Sequence, residues 1–172
     1  MRYVRIIIVS LVLFTTQFLA GCEEQEAGVT SSLEQRGALM YQPGAQEAYT
    51  GKYHEFYANG RMKSETMYFQ GQKYGIMTSW YSDGTKAFEG EFRGDKRFGT
   101  HTEWFENGNK KSQTQYNDDQ KHGVEIIWYP NGSKLSEIEY AFGQKDGRAQ
   151  GWFQDGKQIY DDRYRRGTQR LE

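Results

Sequence analysis

The sequence predicts an all-β protein: five 24-residue β-hairpins stacked into one elongated, twisted and curled antiparallel sheet. Three observations predict it. Glycines recur every 24 residues, at Gly60, Gly84, Gly108, Gly132 and Gly156. An aromatic pair precedes each of them at the same spacing: Phe56-Tyr57, Trp80-Tyr81, Trp104-Phe105, Trp128-Tyr129 and Trp152-Phe153. Two more columns keep the period, one of Gly51, Gly75, Gly99, Gly123 and Gly147, the other of Tyr68, Phe92, Tyr116, Tyr140 and Tyr164. A fixed period of this size marks a repeat architecture. Such arrays offer an extended surface and not a single pocket of chemistry.

Taken in chain order, residues 1–21 read as a lipoprotein signal peptide, outside any fold argument. Arg2 and Arg5 make a basic start, and Ile6 to Phe14 is nearly all apolar. That run is too short to cross a bilayer as a helix. Leu19-Ala20-Gly21-Cys22 then resembles the bacterial lipobox, which is cut before its cysteine. Cys22 is the chain's one cysteine and the expected lipidation site. Two or three acyl chains there would anchor the protein stably, where one would not. The expected location is the bacterial cell envelope, on either membrane. Residues 22–35 are mostly Glu, Gln, Ser, Gly and Ala. They read as a flexible tether of about 20 Å root-mean-square span.

The repeat domain is expected over 36–172, with units starting near 51, 75, 99, 123 and 147. Gly37 to Tyr41 and Tyr49-Thr50-Gly51 bracket Pro43-Gly44, a leading half-unit expected to start the sheet. The fourth unit illustrates the rest. Val124 to Tyr129 is β-branched and aromatic, hence strand-like. Pro130, Asn131 and Gly132 suit a three-residue hairpin loop closed by a glycine bulge. Ser133 to Tyr140 returns as a strand, and Ala141 to Asp146 is a connection. At the end, Asp161, Asp162, Arg163, Arg165 and Arg166 are expected to guard a free sheet edge.

With that loop, Tyr129 pairs with Ser133 and Trp128 with Lys134. Simple alternation puts Trp128, Lys134, Ser136, Ile138 and Tyr140 on one face, the expected buried and concave one. Lys86, Lys110 and Lys134 lie across from the tryptophans, placed to cover the rings. The other face carries Tyr57, Tyr81, Phe105, Tyr129 and Phe153 beside a mostly acidic column, Glu65, Glu89, Gln113, Glu137 and Asp161. These five aromatics are the candidate partner-binding residues.

On these residues the chain resembles a MORN-repeat protein. Phe88-Glu89-Gly90-Glu91-Phe92 followed by Gly94, Lys96 and Gly99 is similar to the MORN hallmark. The other units resemble the bacterial MORN variant, and Tyr49-Thr50-Gly51-Lys52 is similar to the front end of YwqK-type antitoxins. The pattern departs at Gly94, one place early, at Asp119, and at Leu171, where a glycine is expected. The resemblance implies the hairpin-array fold and, for the YwqK type, an antitoxin role. A lipobox restricts that role to immunity against a toxin met in the envelope.

Net charge is −1 and no basic stripe stands out, so nucleic acid is not an expected partner. Aromatics make 16% of the chain against 36% for all hydrophobic residues, which predicts an aromatic core. His54, His101 and His122 fall in three different columns, and no phosphate loop, nucleophile elbow or zinc-helix motif is present. No catalytic, cofactor or metal site is therefore expected. The leading expectation is a lipid-anchored, non-catalytic scaffold that binds another protein. Immunity toward an envelope toxin and cell-wall glycan binding by the aromatic row are the alternatives.

Overall fold

A computed structural model describes residues 28–170. Residues 1–21, Cys22 and the first part of the tether lie outside the described residues. Every element in the described part is a strand: β1 (Gly28–Thr30), β2 (Glu34–Arg36), β3 (Leu39–Tyr41), β4 (Gly51–Phe56), β5 (Met62–Phe69), β6 (Gln72–Trp80), β7 (Lys86–Arg93), β8 (Lys96–Trp104), β9 (Lys110–Asn117), β10 (Gln120–Trp128), β11 (Lys134–Ala141), β12 (Gln144–Trp152), β13 (Gln158–Arg165) and β14 (Thr168–Arg170). β4 to β14 form an antiparallel meander in sequence order, with β1 added at its front edge. The fold is all-β and built of consecutive hairpins, as the period predicts.

The hairpin loops follow the expected chemistry. In the fourth unit Gly132 donates its N–H to the Tyr129 carbonyl at 2.9 Å, and Tyr129 donates to Ser133 at 2.8 Å. Gly132 has φ of 88°, a conformation that costs a residue with a Cβ. The Asn131 side chain then accepts from the Ser133 N–H at 3.0 Å.

Connections between hairpins are tighter than the sequence suggests. Between β11 and β12 only Phe142 and Gly143 intervene, with φ of 51° and 81°. Two positive φ values make the two-residue primed turn that suits twisted strands. The equivalent pairs are Gly94 with Asp95 and Asp118 with Asp119, all at positive φ. This accounts for the displaced glycine and for Asp119: either position accepts Gly, and aspartate tolerates the left-handed region. Gly147 opens no new strand, because β12 runs through it. There the register jumps from Ile138↔Ala149 to Tyr140↔Lys145, a bulge, and Gly147 has φ of 115°.

Three expectations need correction. Residues 28–35, read as tether, include strand: Gly28–Thr30 pairs parallel with Gly51–Tyr53 and β2 pairs with β3. A polar segment can still add to a sheet edge, because the bonds are main-chain. The leading half-unit does not start the main sheet. β2 and β3 form a small separate sheet over the first connecting turn, with Met40 N–H bonded to Gly71 O at 3.0 Å and Gly71 N–H to Tyr49 O at 2.7 Å.

The third correction concerns the faces. Trp128 does pair with Lys134, but Ile127 pairs with Ser136, so Leu135 is an extra residue in a second bulge. From there the strand is flipped relative to the tryptophan. Ser136, Ile138 and Tyr140 share a face with Ile127, Glu125 and Gly123; Trp128 and Lys134 share the opposite face with Glu137. The same shift occurs between Glu55 and Phe56, Ser79 and Trp80, Glu103 and Trp104, and Gly151 and Trp152. The tyrosine face is the more buried one: Ser64, Thr66, Tyr68, His101, Thr114, Glu125, Ser136, Ile138 and Ala149 are all buried there.

Candidate functional site

Side chains on both faces are organised as ladders that join one unit to the next. On the tryptophan face Lys86 lies over Trp104 at 5.4 Å, Lys110 over Trp128 at 5.8 Å and Lys134 over Trp152 at 5.4 Å. Each lysine pairs through the backbone with its own hairpin's tryptophan and covers the ring of the following one. On the tyrosine face Lys73 lies over Phe92 at 5.4 Å, Arg97 over Tyr116 at 4.2 Å, Lys121 over Tyr140 at 4.8 Å and Lys145 over Tyr164 at 4.9 Å. Such contacts contribute about 0.5–1 kcal/mol each where exposed. The second cation column was not singled out from the sequence, yet Lys73, Arg97, Lys121 and Lys145 are themselves 24 apart.

The five candidate partner-binding aromatics lie at this joint between units. Tyr57 donates its hydroxyl to the Trp80 carbonyl at 2.8 Å, Tyr81 to Trp104 at 2.6 Å and Tyr129 to Trp152 at 3.1 Å. Phe105 holds the equivalent place without a hydroxyl. These four are half-buried. Phe153, in the last described hairpin, is 51% exposed. Hairpin loops are joined in the same direction, as by Asn107 and Asn109, which donate to Pro130 O at 2.7 and 2.8 Å.

The acidic column is paired. Glu65 meets His54 at 2.8 Å and Lys52 at 3.3 Å, and Glu89 meets Lys86 at 2.7 Å. Glu137 bonds Lys134, and Asp161 bonds Arg148 at 2.6 Å. The Arg148 guanidinium pulls the Asp161 carboxyl down to about 2. At Glu65 burial opposes ionisation, but hydrogen bonds from His54 and Lys52 outweigh it and lower the pKa. Among these partners only His54 is well covered, so most of the pairs are exposed and individually weak.

A partly enclosed site lies on the tyrosine face. A hollow of about 260 Å³ is lined by Phe88, Phe92, Arg97, His101, Thr114 and Tyr116, among others. His101 packs edge-on against Phe88, Phe92 and Tyr116, with centroids at 5.5, 5.1 and 5.0 Å. Its Nε2 lies 2.8 Å from the Glu91 carbonyl, and burial lowers its pKa. Gly90 makes room for the ring: a Cβ there would stand 2.6 Å from Nδ1. Two strands from His101, buried Glu125 accepts from Lys121 at 2.5 Å and from Thr114 at 3.3 Å. Burial first, then Glu125, pushes the Tyr140 phenol up to about 12. A second, polar groove of about 620 Å³ lies at the C-terminal end, lined by residues including Arg148, Arg163, Arg165 and Arg170 beside Glu139 and Asp146. His54 faces Glu65 and His122 faces Phe142 at 5.1 Å. Among the described residues no three His, Cys, Asp or Glu side chains converge as metal ligands do.

Comparison with known proteins agrees with this geometry. No curated protein matches the chain. Residues 99–118 and 121–141, most of the third and fourth units, match the model of the MORN repeat variant. The glycine and aromatic columns of those two units recur at the same 24-residue spacing in the other three.

Proposed function

We propose that this protein is a lipid-tethered, non-catalytic scaffold of the cell envelope that binds another protein through its sheet. Cys22 carries the lipid, and the repeat array presents the binding surface. The observation behind the binding surface is the aromatic column Tyr57, Tyr81, Phe105, Tyr129 and Phe153. The tyrosine hydroxyls are bonded to the next unit, so those rings are rigid, and rigid aromatics anchor interfaces at low entropic cost. The column ends at Phe153, which is open to solvent. Immunity toward an envelope toxin would draw on the mostly acidic column for a basic partner. The acids of that column already have cationic partners, so the scaffold reading comes first.

Affinity capture from solubilised membranes should recover a defined protein with the wild-type chain. Phe153→Ala is expected to weaken recovery with little loss of stability, since about half of its surface is already open to solvent. The double variant Tyr81→Ala with Phe105→Ala should lose the partner as well. Recovery indifferent to both changes sinks the proposal for this column. If no protein is recovered and the chain pellets with cell-wall sacculi, glycan binding replaces it. Cys22→Ser should move the protein from the membrane to the soluble fraction.

A further inference from the structure

The last described hairpin and the short strand after it reverse the charge of the repeat. Arg163 stands where earlier units carry Glu139, Gln115 and Glu91, and Arg170 stands where the preceding unit has Asp146. In the sheet Arg148 pairs with Arg163, and Arg163 with Arg170. Three arginines therefore lie in one row across β12, β13 and β14, on the tryptophan face, and all are exposed. Arg165, two residues on from Arg163, belongs to the same face. Like charges directly opposite each other cost stability. Guarding a sheet edge needs charge, but not like charges facing each other. Asp161 satisfies Arg148 with two bonds, at 2.8 and 2.6 Å. Among the described residues no carboxylate forms an ion pair with Arg165 or Arg170. These side chains line the polar groove of about 620 Å³, where four arginines outnumber Glu139 and Asp146.

We infer that this groove receives an acidic peptide segment of the protein partner proposed above. The inference rests on that reading and adds the partner's chemistry to it. The arginines are spread out: one strand spacing, about 5 Å, separates neighbours in the row, and about 7 Å separates Arg163 from Arg165 along β13. That spread suits carboxylates carried at intervals along a chain, and it exceeds what one compact anion touches. The pair of Arg148 with Asp161 displays the two-bond geometry in which a guanidinium holds a carboxylate. Phe153 and Ile159, 51% and 48% exposed, lie toward the loop end of the same hairpin, roughly 15 Å from the row. An apolar anchor with charged groups at its rim is the anatomy of a protein–protein interface. The arginine row costs the free protein stability, and an acidic segment laid across it removes that cost.

Fluorescence anisotropy of a labelled hexaglutamate peptide, titrated with the full-length protein in non-ionic detergent, tests the inference. The wild-type chain should bind the peptide, more weakly as salt rises. Arg165→Glu with Arg170→Glu should lower the affinity at least about tenfold. The same double variant should melt no lower than wild type, because it relieves the repulsion in the row. Lys63→Glu with Lys111→Glu makes an equal change of charge on earlier hairpins and should bind as wild type does. A wild-type chain that ignores the peptide overturns the inference, and so does an equal loss in both double variants. Binding of inorganic phosphate or phosphatidylglycerol vesicles through Arg165 and Arg170, without binding of the peptide, overturns it too. In capture from membranes the arginine double variant should lose the partner that Phe153→Ala loses; a partner held undiminished counts against the groove. The aromatic column is decided separately, because capture with Phe153→Ala does not involve the peptide.

Discussion

His101 is a buried imidazole in a ring of aromatics, and the fold holds it neutral. Its folded pKa is lowered by burial, so the unfolded chain binds a proton more readily. The stability it contributes is full above the unfolded value, about 6.5. That stability is lost as pH falls through the unfolded value toward the lowered folded one. Glu65, Asp119 and Asp161 are also lowered, but their contribution is lost only as pH falls below the ordinary carboxylate range. Urea midpoints should therefore drop in two steps on acidification, the first between neutrality and about pH 5. His101→Met, which places the residue of the preceding unit (Met77) in this column, should remove the first step and leave the second. An unchanged two-step profile would count against His101 as its source. The sequence shows His101 only as an irregularity in a column. Its burial depends on Gly90 in the neighbouring strand, which no local pattern connects to it.

At the scale of the hairpin, the joints matter more than the hairpins themselves. Each unit contributes strands, but its rings are capped by cations from the preceding unit, and its strand-end carbonyl accepts the preceding unit's tyrosine hydroxyl. Tyr81→Phe keeps the ring and removes the 2.6 Å bond to the Trp104 carbonyl. The expected cost is about 1 kcal/mol, as for one intramolecular hydrogen bond, read as a lower denaturation midpoint with an unchanged slope. Phe105 already lives without that bond, so no loss of folding is expected. The loop chemistry and the tryptophan–lysine pairing were legible in the residues. The connecting turns were less so, because two left-handed positions can be filled by Gly-Asp, Asp-Asp or Phe-Gly alike. The candidate binding column was legible as a column; that its tyrosines bond to the next unit was not.

Among the described residues the main contacts between elements run between strands that are neighbours in the sheet, so stability should be close to a sum over units and joints. Deleting residues 99–122 removes one full period and leaves every remaining column in register. Circular dichroism should show the same all-β signature, and the urea slope should fall by about a fifth, in proportion to the surface no longer buried. Deleting half a period would remove one strand of a hairpin, leave the next strand running in the wrong direction for the antiparallel meander, and should abolish cooperative unfolding. By itself the sequence determined the all-β class, the 24-residue unit, its three-residue loop and the number of units. Those features rest on local conformational preference and side-chain alternation, which are written in neighbouring residues. Only the tertiary structure decided which face the tryptophans occupy and which ring each cation covers. One extra residue in a bulge reverses every side chain beyond it, and contacts between units follow from inter-strand register that no single unit contains.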